Sequence, residues 1–479
     1  MTPESPHQKR QRFVRVVLLS CYERLSRSIE TVGLQRSDAT ERSHNLAKFG
    51  PAFQLWAGCN VSPLNIILGI FCVLKFRIDA IEGFAITVVA SIVGSSATGA
   101  IARYGPLSGL RTMMISRFTH GLHASRVISA LNALMLIAFL IVDTIACRDI
   151  LQTLAPGRPH IFTLAVVLLG ILATTIASFG GPLIEFIGRW GWRPQIMILP
   201  MLLGGCLLAI NAPGRDPLAN TADVIETTMH TRMSFGVLVC NAALVFSMAG
   251  TDFSHAYAEQ STQWLVALGP MAGLSTSHIA LVTTGIVIGE ASRGNVILSQ
   301  AFTDSPATLI GSSMQQLGPV GIVCIIFFVI GGFGAIAAGT YIAAVSMGPA
   351  CDRYDRPTRV VCTMAVGVIV VICANLGRRH LEIIAQSIVS IIGSLVIVWW
   401  IPTVVDLEIA RRKGPLWADW DVPSRLPCRL ASLLASIVGA ALTVLSIDQP
   451  WYVGPLAKVA GPAGPYVSRA FITASDGPS

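Results

Sequence analysis

The stretch LWAGCNVSPLNIILG, residues 55–69, is apolar enough to lie in a membrane but is interrupted in its middle. Gly58, Asn60, Pro63 and Asn65 fall within about two turns of a helix that carries 3.6 residues per turn. Proline removes a backbone hydrogen bond, and asparagine favours caps and turns over helix interiors. The sequence therefore predicts a broken membrane helix. Such breaks expose backbone groups at membrane depth and mark candidate binding sites.

Apolar stretches of similar length follow along the rest of the chain. The 479 residues are 53% hydrophobic and only 13% charged, whereas soluble domains carry about 25% charged residues. A membrane-crossing helix needs about 20 mostly apolar residues. The sequence therefore predicts an all-α integral membrane protein with eleven clear spans and a weaker twelfth near 451–473. The eleven spans are residues 51–74, 83–101, 127–147, 161–180, 195–212, 234–251, 264–289, 318–349, 360–376, 383–405 and 428–447.

The chain is predicted to have a polar N-terminal tail, residues 1–49, and one transmembrane transporter domain, residues 50–479. Arginines and lysines gather in the loops on the side of the tail, as in cytoplasmic loops of membrane proteins. This predicts a cytoplasmic N-terminus and a cell (plasma or inner) membrane location, without a cleavable signal peptide. Residues 13–34 are weakly amphipathic, so they form either a helix on the inner membrane surface or a disordered tail.

Several function classes are excluded by the residues that the chain lacks. The 11 cysteines are scattered without a CxxC pair, and there is no P-loop, GxSxG or HExxH motif. His120 and His123 are spaced i, i+3 but have no carboxylate or thiol partners nearby in the sequence. The basic residues lie in loops and do not interleave with aromatic residues, as single-strand-binding surfaces require. We therefore expect neither an enzyme nor a nucleic-acid-binding protein, and no metal site or cofactor.

A second interruption ends the sixth span, where the chain reads Met248-Ala-Gly-Thr-Asp252. Interrupted helices at corresponding places in two halves are typical of secondary transporters built from inverted repeats. The halves would be spans 1–5 and 6–10.

Ionisable side chains within the spans are candidate functional groups, because they are costly in a bilayer. Asp143 in the third span either binds a donor-rich substrate, carries a proton, or faces water at the outer end of its helix. Asp252 either belongs to a gate or caps a helix end. His278 in the seventh span is either a packing residue or a proton relay.

A planar heterocyclic substrate would be complementary to the side chains near the two breaks. Asn60 brings an amide that can bond to the edge of a ring, and Trp56, Phe139 and Phe246 could stack on its face. Ser247 completes the predicted lining together with Asp143. Each aromatic residue taken alone could equally be helix packing.

Six segments in register resemble the purine–cytosine permeases, part of the first nucleobase–cation symporter family. The similarity runs from about residue 28 to 460. The segments are SIETVGLQRSDATER near its start, LWAGCNVSPLNIILG at 55–69, ARYGPLSGLRTMMISRFTHG at 102–121, AGTDFSHAYA at 249–258, WADWDVPSRLPCRLASLLASIVGAAL from Trp417, and QPWYVGPLAKVAG at 449–461.

The resemblance implies a leucine-transporter-like fold, with ten core helices in two inverted five-helix repeats, broken helices 1 and 6, and two further helices, about twelve in all. It also implies alternating access, coupling to H⁺ or Na⁺, and a nucleobase or related small heterocycle as substrate. We expect such a protein to work as a monomer. The remaining alternative is a relative that no longer transports and acts as a receptor.

The resemblance also indicates which site residues have changed. The tryptophan of the third helix falls on Phe139, and a polar residue that is often an amide falls on Asp143. The Gly-Trp of the sixth helix falls on Val245 and Phe246, and the Asn-Asn of the eighth helix falls on Ala335-Ile336. These changes predict a heterocycle other than cytosine or adenine. They favour coupling to H⁺, with Asp143 as the carrier. Asp252 matches the family pattern and is expected to be a gating or coupling residue.

Overall fold

A computed structural model describes residues 35–210, 229–293, 295–351, 356–377, 381–410, 417–426, 430–449 and 452–459. This part of the chain is helical apart from one short hairpin of two strands, β1 (Asp448–Gln449) and β2 (Tyr452–Val453). The helices are α1 (Ala39–Arg42), α2 (Phe49–Cys59), α3 (Pro63–Leu74), α4 (Ala80–Ala102), α5 (Tyr104–Ser108), α6 (Thr112–His120), α7 (Leu122–Gln152), α8 (Pro159–Phe179), α9 (Gly181–Gly191), α10 (Arg193–Ile210), α11 (Met229–Leu244), α12 (Gln263–Ser292), α13 (Val296–Asp304), α14 (Pro306–Gln315), α15 (Pro319–Cys351), α16 (Arg356–Gly377), α17 (Leu381–Val405), α18 (Leu430–Ser446) and α19 (Pro455–Val459).

The prediction of an all-α membrane protein is confirmed. Within the described residues, eight helices are long and apolar enough to cross a membrane, and the bent pair α2 and α3 adds a ninth. Helix α18 is apolar but shorter. Most of the predicted twelfth span lies outside the described residues, and residues 452–459 form β2 and α19 instead. The amphipathic stretch 13–34 also lies outside the described residues, so the count of twelve and the inverted repeat stay predictions.

The first span is broken where the sequence predicts it. Helix α2 ends at Cys59, α3 begins at Pro63, and the two helices meet at an angle of 67°. Proline is favoured at the first position of a helix because its missing N–H needs no partner there. The Ser62 hydroxyl caps α3 by accepting a hydrogen bond from the Leu64 N–H at 3.1 Å.

The sixth span changes geometry before the predicted interruption. Helix α11 ends at Leu244, and Val245–Ala249 continue as a tighter 3₁₀ helix. The following residues, 250–256, form turns. A 3₁₀ segment at the end of a membrane helix has poorer hydrogen-bond geometry than an α-helix and often marks a hinge.

The spans pack as two groups, and the broken helix belongs to the first. In the first group, α12 packs against α2, α3 and α4, and α11 packs against α4. In the second group, α15 packs against α7, α8 and α16. The backbones of α3 and α12 touch, since a Cβ on Gly69 would lie 1.9 Å from the Val282 carbonyl oxygen and one on Gly285 would lie 1.9 Å from the Ile66 carbonyl oxygen. Small residues at such crossings let membrane helices approach closely.

The described residues before α2 lie across loops on one side of the membrane, here called the N-terminal side. Arg42 donates to the Pro106 carbonyl oxygen at 2.7 Å, and Asn45 donates to the Ala256 carbonyl oxygen at 2.9 Å. These contacts join the segment to the loops that follow the second and sixth spans. Helix α2 begins at Phe49, and the division into a tail, residues 1–49, and a membrane domain, residues 50–479, stays a prediction.

Candidate functional site

Asp143 on α7 reaches the break in the first span. The Ser62 hydroxyl donates to Asp143 Oδ1 at 2.6 Å, and the Leu64 N–H lies 3.4 Å from the same oxygen. The carboxyl is 2% exposed, so it does not face bulk water at a helix end. The positive end of the α3 dipole lies beside it, which favours negative charge. One contact thus connects the second helix group to the break in the first group.

The buried carboxyl of Asp143 has one oxygen, Oδ2, that is not used in bonding to the described residues. It forms no ion pair with a basic side chain of the described residues, and its Oδ2 accepts no hydrogen bond from them. A buried charge without a partner costs free energy, which a proton or a bound cationic group would remove. Asp143 can therefore hold a proton at this site or accept a hydrogen bond from a ligand through Oδ2.

Four aromatic rings form a column that continues from this region toward the N-terminal side. Trp56 meets Phe246 edge to face at 6.2 Å and Phe253 at 5.5 Å between ring centroids. Phe253 in turn lies 6.3 Å from Tyr341. The structure thus brings together two predicted residues, Trp56 and Phe246, and adds two that the sequence reasoning missed. Edge-to-face contacts of this kind add about 0.5–1.5 kcal/mol per pair.

Phe139 lies one helical turn before Asp143 on α7 and is buried. It makes no aromatic ring contact within the described part of the chain. Ser247 in the 3₁₀ segment is fully buried, and its hydroxyl has no hydrogen-bond partner among the described residues. The lining roles of Phe139 and Ser247 stay predictions.

The amide of Asn60 is engaged within the protein. Its Nδ2 donates to the Ser277 hydroxyl at 2.9 Å and to the Leu274 carbonyl oxygen at 3.3 Å, while its Oδ1 accepts from Asn65 Nδ2 at 3.0 Å. These bonds hold the interrupted backbone against α12. In this conformation Asn60 therefore maintains the break, and its predicted contact with substrate would require these bonds to rearrange.

Asp252 lies at the N-terminal side, where it caps a helix from another part of the chain. Its Oδ1 accepts a hydrogen bond from the Thr112 N–H at 3.0 Å, at the first residue of α6. The Thr112 hydroxyl accepts from the Thr251 N–H at 3.0 Å, and Arg111 donates to the Asp252 carbonyl oxygen at 3.3 Å. The end of the sixth span is thus fastened to α6. A helix-capping role is visible, and a gating role stays a prediction.

Two buried guanidinium groups flank the last ring of the aromatic column. Arg111 and Arg359 lie with their Cζ atoms 5.7 and 5.9 Å from the Tyr341 ring centroid, close enough for cation–π attraction. Their sequence positions suggested only loop charges. Ser62 followed by Pro63 is a recognisable N-cap signal at the start of α3. Nothing in the sequence indicated that Tyr341 would lie between two arginines.

Of the histidines that the sequence singled out, His120 and His278 are buried and His123 is exposed. Within the described residues, no group of three His, Cys, Asp or Glu side chains could hold a metal ion. His278 is fully buried. His120 bonds to the Thr119 and Ser436 hydroxyls at 2.9 and 3.2 Å.

Comparison with known proteins places this geometry among transporters. No protein-family model matches the chain. The chain is 20% identical over 436 residues to the purine-cytosine permease fcyB of Emericella nidulans, which covers 90% of this chain and 84% of that protein. It is 21% identical over 452 residues to the purine-cytosine permease FCY21 of Saccharomyces cerevisiae, covering 91% of this chain and 82% of that protein.

Among solved structures, the fold is similar to that of Mhp1, a nucleobase-cation-symport-1 family transporter in a closed conformation with bromovinylhydantoin bound. The TM-score is 0.59 at 13% identity, and the match covers 92% of this chain and 98% of that one. The predicted resemblance to the purine–cytosine permeases and the leucine-transporter-like fold are therefore confirmed. These relatives also confirm that the chain is a secondary transporter and not an enzyme.

Proposed function

We propose that the chain is a proton-coupled symporter that carries a nucleobase or related small heterocycle by alternating access. The observation that carries the proposal is the hydrogen bond between Asp143 and Ser62 at the break in the first span. That bond lies between the two helix groups, where a change of protonation can affect their relative position. The purine-cytosine permeases among the relatives and the hydantoin bound to Mhp1 support this class of substrate.

The substrate would lie at the break, between α2, α7, the 3₁₀ segment and α15. Trp56, Phe139 and Phe246 offer ring surfaces, while Ser247 and Asp143 offer a hydroxyl and a carboxyl. A carboxylate accepts hydrogen bonds only, whereas an amide both donates and accepts. Because Asp143 stands where the resembling family often has an amide, we expect a heterocycle that presents N–H donors to it.

Coupling to H⁺ follows from the chemistry of the carboxyl. Protonation turns Asp143 from a pure acceptor into a group that also donates. The bond from Ser62 and the favourable position at the α3 N-terminus both weaken when the charge is lost. Proton binding would therefore loosen the contact between the helix groups, and substrate binding would form a new hydrogen bond to Oδ2.

The N-terminal side is proposed to be the cytoplasmic side, because arginines concentrate in its loops. In this conformation it is closed by the aromatic column, by Arg111 and Arg359, and by the cap that Asp252 gives to α6. We place the protein in the cell membrane. Since both helix groups and the break belong to one chain, a monomer contains the complete site.

The test is uptake of radiolabelled cytosine, adenine, hypoxanthine and hydantoin into proteoliposomes. We expect an inward H⁺ gradient to drive accumulation of at least one compound, and a protonophore to abolish it. Accumulation that requires a Na⁺ gradient instead would contradict the proposed coupling to H⁺. Binding of a compound without any flux, under either gradient, would establish the receptor-like alternative.

A further inference from the structure

A polar cavity of about 800 Å³ lies at the far end of α7, on the side of the membrane opposite Asp252. Its volume is within the roughly 300–1,000 Å³ that ligand pockets usually occupy. Its walls are the end of α7, the start of α8 and the hairpin of α13 and α14. Amides, hydroxyls and charged groups dominate them, among them Arg148, Gln152, Gln300, Ser305, Thr308 and Ser312.

A buried ion pair forms the inner wall of this cavity. Arg148 Nη1 lies 3.2 Å from Asp149 Oδ1, and the two side chains are only 5% and 9% exposed. The Ser305 hydroxyl donates to Asp149 Oδ2 at 2.9 Å, which fixes the pair to the hairpin. The geometry of this wall is therefore set by the protein before any ligand arrives.

Arg148 has donors that the protein does not use. A guanidinium carries five N–H groups, and the only bond that Arg148 makes to a described residue is that from Nη1 to Asp149. Its Nε is buried and has no partner among the described residues. A buried donor without an acceptor is unfavourable. A ligand with two adjacent acceptor atoms would engage the Nη donors that Arg148 does not use, by a forked contact.

The charges around Arg148 favour an uncharged ligand over an anion. Asp149 already neutralises the guanidinium, and Asp304 adds a second carboxylate to the wall. The other polar groups are the His160 imidazole and neutral amides and hydroxyls. The amides and hydroxyls both donate and accept hydrogen bonds. An uncharged heterocycle with alternating C=O and N–H groups along its edge matches this set.

The cavity is separate from the site at the broken helix. Arg148 follows Asp143 by five residues on α7, which places it about 7.5 Å further along the helix axis and about 140° around it. The two side chains therefore leave the helix on different faces. One small ring cannot contact both.

We propose that this cavity is a second binding site, which holds the transported heterocycle by its acceptor edge before the molecule reaches Asp143. This inference rests on the proposed function. The cavity opens toward the side that substrate would enter from, and the N-terminal side is closed in the same conformation. Wild-type protein should therefore bind two molecules per chain.

Equilibrium dialysis of purified full-length protein with radiolabelled cytosine, adenine, hypoxanthine and hydantoin tests this stoichiometry. Ser312→Phe fills the cavity without removing a charge, and we expect it to bind one molecule. Ser299→Phe places the same ring on the exposed face of α13, outside the cavity, and should still bind two. Asp143→Asn should still bind the molecule in the cavity, because the cavity is separate from the site at the broken helix.

A second variant covers the case in which the Ser312→Phe protein does not fold. The double substitution Arg148→Gln with Asp149→Asn removes the forked donor without leaving one buried charge alone, and it should also bind one molecule. One molecule bound by wild-type protein, or two retained by both cavity variants, would overturn the second site. Binding of no compound by well-folded wild-type protein would instead overturn the proposed function.

Discussion

Replacing Asp143 by asparagine removes its ability to bind and release a proton but keeps a side chain that can form the same hydrogen bonds. Asparagine keeps an acceptor oxygen of the same reach, so the contacts with Ser62 and the Leu64 N–H can persist. A bond to a charged group is worth about 1.5–3 kcal/mol and a neutral one about 0.5–1.5 kcal/mol. Part of this difference is offset because no charge needs to be buried. We therefore expect the free energy of unfolding to change by about 1 kcal/mol or less.

Transport should respond far more strongly than folding. One carboxyl carries one proton per cycle, and one pH unit corresponds to about 1.36 kcal/mol, or a tenfold concentration ratio. An inward gradient of two pH units can therefore drive wild-type accumulation toward about 100-fold. The Asp143→Asn variant should stay near equal concentrations inside and outside, while exchange of labelled for unlabelled substrate continues.

The assay is uptake into proteoliposomes at matched protein content, with and without the pH gradient. Asp79→Asn is the matched control, because it changes an exposed carboxylate that caps α4 into an amide that caps equally well. Gradient-driven accumulation by Asp143→Asn at the wild-type level, with an unchanged pH profile, would refute the role of this carboxyl.

Three further predictions concern the scaffold around the site. Gly69→Ala should abolish uptake and lower the melting temperature, because the new Cβ would lie 1.9 Å from a carbonyl oxygen of α12. Gly50→Ala is the control: its Cβ meets nothing within 4 Å, so uptake and melting temperature should stay unchanged. Asp252→Ala should destabilise the protein by about 0.5–2 kcal/mol through loss of a helix cap, and Asp252→Asn should restore most of it; equal melting curves for the two would contradict a capping role. Burial lowers the pKa of His120 to about 4, from about 6.5 in the unfolded chain. The unfolded state therefore binds the proton first, so stability is full above about pH 6.5 and falls as the pH drops toward 4. His120→Gln should flatten the melting temperature over that window, and an unchanged slope would contradict this assignment.

Several features of this protein were determined by the sequence alone. The broken first span was predictable because Pro63 and the asparagines beside it disrupt a helix through local chemistry. Asp143 stood out because a carboxyl inside an apolar stretch is costly in any membrane fold. The membrane class and the resemblance to a transporter family likewise needed only composition and ordered segments.

Only the tertiary structure decided which groups meet. Ser62 and Asp143 are 81 residues apart in the chain, and their contact depends on how α3 and α7 cross. The same holds for Asn60, whose amide is used by α12, and for Tyr341, which lies between two arginines. A helix's own sequence fixes which residues share a face, but its rotation against a neighbour is set jointly by the small residues and side chains of both helices. Partners across such crossings are therefore not written in any one stretch of the chain.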